Sequence, residues 1–449
     1  PVWSPDGTRL AFFRDEPGGE RLVVWESQSD RMTPLGDLLP ARSSLAPRWD
    51  PSVKRLVIAM PVRPDDPAPP PRVKVVRSTD VRIPGDWFFV DDRKAGLAVV
   101  DLATGKAAPL LPAPVVLRSF RLTPDGRHLT YTAPSPDTLG VIGQERDETF
   151  LVALSGGQPR KLTAKNEGVS YFWTPDGGKL IFKEQGRLMA MPVDGGTPAP
   201  FMPGLTAPVT ELIGSPDGSS FASVVADPSV TDRELEPVPP GMYTTARPFM
   251  DVYVVSAGDG TARNVTSMFA DQVSAPTWSR DGKALFFVAT NNETYVETIY
   301  RYTLADGNLT PLAAGQESYA ALATAPGMLA ATVENATTPR DLWLFDAERG
   351  SRARITDLNP QLARFRFAKP ELFHYYNGDG ERLGALLYRP AGVQPDQRLP
   401  VITWVYEKLT QDIHRFNARN QIFLTHGYAM LLPNVKVKVG QTGASFVKA

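Results

Sequence analysis

The feature that most constrains this chain is a recurring turn. An aromatic or apolar residue is followed by Ser/Thr-Pro-Asp-Gly, one or two polar residues, and then a run of strand formers. It occurs as Trp3-Ser4-Pro5-Asp6-Gly7, Leu122-Thr123-Pro124-Asp125-Gly126, Trp173-Thr174-Pro175-Asp176-Gly177 and Gly214-Ser215-Pro216-Asp217-Gly218, and with Arg for Pro as Trp278-Ser279-Arg280-Asp281-Gly282. Trp49-Asp50-Pro51-Ser52 and Ala325-Pro326-Gly327 are looser copies. Pro fixes φ near −65°, Asp bonds the backbone ahead of it and Gly accepts positive φ, so each copy predicts a β-hairpin.

A second pattern alternates with the first: a strand, a turn of Asp, Gly or Ser, and a short strand ending near Leu or Thr. Its copies start at Leu22, Leu97, Phe150, Leu188, Val252, Ile299 and Leu342. Two hairpins per repeat give four strands, and the repeats begin at residues 3, 49, 122, 173, 214, 278 and 323. Four-stranded units of roughly 40 to 50 residues are the signature of a β-propeller. The reading is an all-β propeller of seven blades over residues 1–360, or eight if another blade precedes Pro1. Trp3, Trp49, Trp173 and Trp278 recur at one blade position and are expected in the core between blades. Two intervals are long: one holds the Pro-rich run Pro64 to Pro71, the other Asp232-Arg233-Glu234-Leu235-Glu236. Loops of that length in a compact domain are functional or disordered.

After Pro360 the pattern changes. Glu371 to Tyr376, a turn Asn377-Gly378-Asp379-Gly380, and Leu383 to Tyr388 predict a hairpin. Leu399 to Tyr406 is a near-continuous apolar run, as for a strand buried on both faces. A polar stretch with helix formers then leads to a second buried strand within Gly427–Asn434. Residues 361–449 therefore read as the first, incomplete part of an α/β domain.

Composition removes several chemistries. Lys+Arg 48 against Asp+Glu 49 leaves a formal charge of −1, without the basic footprint of a nucleic-acid or anionic-membrane binder. No apolar run is long enough to span a membrane. The absence of Cys excludes disulfides, thiolate metal sites and a cysteine nucleophile, and four His make a multi-histidine metal centre unexpected. No metal and no cofactor is implied. His128, His374, His414 and His426 read as structural or exposed. Asn264, Asn292, Asn308 and Asn335 match the Asn-x-Thr glycosylation pattern, which carries no weight without a secretory context.

A propeller followed by "YYNGDGERLGALLYRP" (375–390), "LPVITWVY" (399–406) and "GYAMLLPN" (427–434) resembles the prolyl oligopeptidase family of serine peptidases, which includes dipeptidyl and acylaminoacyl peptidases. The resemblance implies a propeller capping an α/β-hydrolase domain, short peptides as substrates and acyl-enzyme hydrolysis. The nucleophile elbow Gly-x-Ser-x-Gly does not occur in the sequence: Gly443-Ala444-Ser445-Phe446-Val447 lacks its final Gly. The Ser-Asp-His triad is accordingly expected beyond Ala449, the chain alone is expected to be inactive, and the remainder of the hydrolase domain is an expected partner. Tyr406 sits where dipeptidyl-peptidase-like members place an oxyanion-hole tyrosine, although Glu407-Lys408-Leu409 replaces the usual small residues after it. Glu234 and Glu236 are candidates for holding a substrate amino terminus, by analogy with the family's paired glutamates, and as Glu-Leu-Glu they read equally as a solvated loop. The alternative is a non-catalytic propeller binding module with a degenerate hydrolase remnant, and a weaker one is a plain periplasmic propeller. Either a periplasmic or a cytoplasmic soluble protein fits, and a homo-oligomer is compatible with the sequence.

Overall fold

The computed structural model describes residues 1–40, 45–62, 94–135, 147–166, 171–174, 176–184, 187–201, 209–227, 249–267, 272–291, 294–378, 380, 382–394, 396–405 and 412–435. The chain forms two compact units, Pro1–Phe201 and Met202–Ala449.

The first unit holds four consecutive antiparallel meanders. The first sheet comprises Val2–Trp3, Arg9–Glu16, Gly19–Glu26 and Arg31–Leu39, and the second Arg48–Trp49, Arg55–Pro61, Lys94–Asp101 and Ala107–Pro109, with Val115–Val116 added beside Lys94–Asp101. The third comprises Ser119–Leu122, His128–Pro134, Asp147–Ala153 and Arg160–Asn166, and the fourth Tyr171–Trp173, Lys179–Glu184, Arg187–Pro192 and Ala199–Pro200. The second unit continues with a fifth sheet of Val209–Gly214, Ser220–Asp227, Phe249–Ser256 and Ala262–Asn264. The sixth is Gln272–Trp278, Ala284–Thr290, Glu297–Thr303 and Leu309–Gly315, and the seventh Ser318–Ala325, Met328–Asn335, Thr338–Asp346 and Arg352–Arg354. Every repeat read from the sequence is one such sheet, with the Pro-Asp-Gly copies joining its first two strands.

The turn owes its sequence to a closed set of hydrogen bonds. Ser4 Oγ donates to Asp6 Oδ1 (2.5 Å) and accepts from Arg9 N (2.9 Å), while Gly7 N bonds Ser4 O (2.8 Å) with φ at +70°. The hydroxyl-to-carboxylate bond recurs at Thr123–Asp125 (2.5 Å), Thr174–Asp176 (2.5 Å), Ser215–Asp217 (2.6 Å) and Ser279–Asp281 (2.6 Å). The Ser4 hydroxyl, then the Thr8 backbone and hydroxyl, hold the Asp6 carboxyl down at about 2. The turn proline serves the neighbouring sheet as well: a Cβ on Gly126 would lie 3.0 Å from Pro51, one on Gly177 3.8 Å from Pro124, and one on Gly282 3.8 Å from Pro216. Consecutive turns thus stack Gly on Pro at one end of the sheets, within each unit.

Strand periodicity lets each inner sheet face two neighbours. In the second sheet Leu56, Ile58, Ala98 and Val100 pack with Ala11, Leu22 and Val24 of the first, whereas Val57, Ala59, Leu97 and Val99 pack with Phe120, Leu129 and Tyr131 of the third. In the sixth, Leu285, Phe287 and Ala289 face the fifth sheet, and Phe286 and Val288 the seventh. Serial face-to-face packing of four-stranded meanders is the construction of a propeller. The recurring tryptophans point back at the preceding sheet: Trp49 Nε1 donates to Val2 O and Trp278 Nε1 to Ile213 O, both at 2.9 Å, and Trp173 Nε1 to Thr130 Oγ1 at 3.3 Å. Trp3 departs from the expectation. It is 51% exposed, and it meets Trp25 edge-on at 5.9 Å.

Beyond the seventh sheet lies a mixed sheet in the order Glu371–Tyr376, Arg382–Tyr388, Ala429–Pro433, Val401–Thr403. The hairpin is antiparallel as expected, and the last two strands are parallel, joined through the helix Ala418–Thr425. Asn417 caps that helix by accepting from Asn420 N (3.2 Å). Leu386, Tyr388, Leu424, Met430 and Leu432 form the buried core here. The strand expected within Leu399–Tyr406 is not buried on both faces. It spans Val401–Thr403 at the sheet edge, leaving Val401 53% and Val405 58% exposed, since among the described residues only Ala429–Pro433 pairs with it. Among the described residues no helix is long and apolar enough to cross a membrane.

Candidate functional site

Of the residues singled out from the sequence, Tyr406, Glu234 and Glu236 lie outside the described residues. Their flanks are described. Val401–Thr403, which precedes Tyr406 in the sequence, runs parallel to Ala429–Pro433. Trp404 N bonds Leu431 O (2.9 Å), and the Arg419 guanidinium lies 4.1 Å over the Trp404 ring. Glu234 and Glu236 belong to the connection between Ser220–Asp227 and Phe249–Ser256, which leaves the fifth sheet at the end opposite its Pro-Asp-Gly turn.

At that same end of the sixth and seventh sheets the buried Glu297, Glu334 and His414 meet the half-exposed charges of Arg340, Asp412 and Arg415. The turn Asp412–Phe416 reaches the sheets from the mixed sheet's side. His414, 8% exposed, sets Nε2 3.3 Å from Thr294 O in the second connection of the sixth sheet. Arg415 Nε donates to Ser318 Oγ (3.3 Å), and its Nη2 lies 3.7 Å from Glu297 Oε1. Glu297 in turn accepts from Ser318 Oγ (3.1 Å) and from Tyr319 N (2.6 Å). Glu334 pairs with Arg340 at 2.5 Å, and Asp412 with Arg415 at 3.6 Å. Ile413 points the other way, into the core of the mixed sheet.

Burial dominates the electrostatics. It raises the Glu297 carboxyl, against the pull of the Tyr319 amide, Arg415 and Ser318, with the Glu334 charge adding to the rise. Asp412 is likewise raised, by burial first, with Arg415 opposing. Burial lowers His414, against the pull of the Thr294 carbonyl. Beside this group a cavity of about 380 Å³ is lined by Glu317, Asn335, Arg352, Lys369, Ile413 and His414. Glu317 and Arg352 close on each other at 2.5 Å across its wall.

Ser318, His414 and Glu297 have the residue types of a catalytic triad but not its geometry. The Ser318 hydroxyl bonds Glu297 directly, and His414 spends Nε2 on a backbone carbonyl. The arrangement suits electrostatic docking of one element on another. Sequence reading missed it, although a signal was there. The third strand of five sheets carries, within its first four residues, an acid two residues before a large apolar side chain: Glu20-x-Leu22, Glu148-x-Phe150, Asp251-x-Tyr253, Glu297-x-Ile299 and Asp341-x-Trp343. All five acids are 9% exposed or less.

No protein-family model matches the chain, and no curated protein matches it in sequence. Solved structures do resemble it. Acylaminoacyl peptidase from Pyrococcus horikoshii matches with a TM-score of 0.56 at 15% identity, over 95% of this chain and 63% of that one. Porphyromonas gingivalis dipeptidyl peptidase 4 matches with a TM-score of 0.63 at 12% identity, over 96% and 64%. A prolyl endopeptidase structure gives 0.65 at 12% identity, over 97% and 60%. The chain thus spans less than two thirds of the length of each of these peptidases. In fold, the chain resembles these peptidases of the prolyl oligopeptidase family over nearly its whole length.

Proposed function

We propose that the chain is the seven-bladed propeller (1–360) and the opening part of the hydrolase domain (361–449) of a serine peptidase that cleaves short peptides through an acyl-enzyme. The observation that carries this reading is the fold likeness to peptidases over nearly the whole chain. The exposed apolar stretch Val401–Val405 supports it, since its parallel strand Val401–Thr403 pairs on one side only among the described residues, leaving an edge on which a larger α/β sheet can be extended. Ligands of such sheets bind outside the carboxyl ends of the strands, and in the sequence Tyr406 comes three residues after Thr403. In this proposal the Tyr406 hydroxyl donates to the developing oxyanion, Glu234 and Glu236 face the substrate amino terminus, the Ser-Asp-His triad comes from the remainder of the hydrolase domain, and the propeller limits access to short peptides.

The test is labelling of the full-length protein with a fluorophosphonate, alongside hydrolysis of chromogenic dipeptide and acyl-amino-acid substrates. Stoichiometric labelling and hydrolysis are expected. Tyr406→Phe should lower kcat by about 10² to 10³, the usual effect of removing one oxyanion donor. A full-length protein that neither takes the label nor cleaves any peptide is a binding module, and the reading fails.

A further inference from the structure

The buried acids of these third strands do not use their carboxylates alike. Asp251 and Asp341 bond threonines of their own sheets, Thr266 and Thr356. Glu148 bonds Ser135 and pairs with Lys161, again within its own sheet. Glu297 turns outward: Ser318 and the Tyr319 amide belong to the next sheet, and Arg415 to the turn that precedes the helix of the mixed sheet. We propose that Glu297 is a positioning residue, forming with Ser318 the socket in which Arg415 seats, and that this socket fixes the segment Asp412–Pro433 on the sixth and seventh sheets.

Three observations converge on it. Ser318 Oγ is shared, donating to Glu297 and accepting from Arg415 Nε, so carboxylate, hydroxyl and guanidinium form one closed set. The turn is bipartite, with Ile413 anchored in the mixed-sheet core while His414 and Arg415 reach the propeller sheets, so a shift of Arg415 must carry the helix with it. A buried carboxylate beside a guanidinium adds little net stability over apolar packing, and in some proteins it serves to specify one arrangement, the role proposed for Glu297. A carboxylate left buried without its cation is costly, so loss of Arg415 from the socket is opposed.

The proposal rests on and deepens the peptidase reading, since Ala429–Pro433 in that segment pairs with Val401–Thr403, the strand that Tyr406 follows in the sequence. It is tested in the full-length protein with Glu297→Gln, Arg415→Gln, the double variant and the milder Ser318→Ala, by hydrogen exchange of the helix Ala418–Thr425 and of the third sheet as control. Each single variant should speed helix exchange about tenfold or more, the double variant should add nothing further, and the third sheet should not change. For peptide substrates kcat should fall several-fold with KM little changed. Unchanged helix exchange in Glu297→Gln and Ser318→Ala, or additive effects in the double variant, overturns the socket. Coupled exchange in a protein without peptidase activity would keep the socket and discard the peptidase reading.

Discussion

The Thr266 hydroxyl donates to Asp251 Oδ1 at 2.7 Å while accepting from Val252 N at 2.9 Å, tying the end of the fourth strand of the fifth sheet to the start of the third. The seventh sheet repeats the device: Thr356 donates to Asp341 at 2.8 Å and accepts from Leu342 N at 2.9 Å. Valine has the shape of threonine without the hydroxyl, so Thr→Val leaves a buried carboxylate and a buried amide each short of one partner. Thr266→Val and Thr356→Val should each cost about 1–3 kcal/mol. The sites lie in different sheets and share no partner, so the double variant should show the combined loss to within roughly 0.5 kcal/mol. Urea unfolding midpoints of the two single variants and the double measure this.

Acid should act on the same device. Burial alone would raise the Asp341 carboxyl, but the Leu358 amide, Thr356 and Arg354 together outweigh it and hold the group below its ordinary value. A carboxyl whose folded pKa is depressed contributes stability that is full above the unfolded pKa, about 3.9, and is lost as pH falls through the folded one. Asp341→Asn should therefore be less stable than the parent at pH 7, and the gap should narrow below about pH 4. Urea midpoints of both proteins from pH 7 to 2.5 give the comparison, and a gap that widens on acidification contradicts it.

The recurring tryptophans separate into two kinds that the same measurement distinguishes. Trp278 is 4% exposed and donates to Ile213 O, whereas Trp3 is 51% exposed. Trp278→Phe removes ring area and leaves the Ile213 carbonyl without that donor, for a cost of about 2–3 kcal/mol. Trp3→Phe should cost less than about 0.5 kcal/mol, as surface substitutions do. Thermal unfolding of the two variants should show a clear drop only for Trp278→Phe.

The repeats were legible because each turn is local: Ser/Thr, Asp and Gly lie within four residues and complete their own hydrogen bonds. Even the degenerate copy Trp49-Asp50-Pro51-Ser52 folds the same way with the roles exchanged. Ser52 N bonds Asp50 Oδ1 (2.7 Å), and Val53 takes the glycine place at φ +59°. Burial between distant elements was not legible. The run Leu399–Tyr406 shows that a strand is apolar but not how many neighbours it has, and Trp3 carries the same local signal as Trp49. The Glu297 socket was hidden for the same reason. Its acid sits in the pattern shared by Asp251 and Asp341, and only the fold brings Arg415, more than a hundred residues later in the chain, to its side.

Turn stacking gives a last test, in which two glycines of equal backbone conformation should respond unequally. Gly7 and Gly126 have φ of +70° and +66°, so alanine at either pays the left-handed strain of about 1–2 kcal/mol. Around Gly7 a new Cβ meets nothing within 4 Å, whereas at Gly126 it lies 3.0 Å from Cδ and 3.3 Å from Cγ of Pro51, a rigid ring set in the turn of the neighbouring sheet. Gly126→Ala should therefore exceed Gly7→Ala by about 1 kcal/mol, the lower end of the cost of overpacking. Pro51→Ala removes the ring atoms that collide. In that background Gly126→Ala should fall back to the cost of Gly7→Ala, as read from urea midpoints of the four variants. Equal costs for the two glycines in the parent protein would show that consecutive turns do not stack as described.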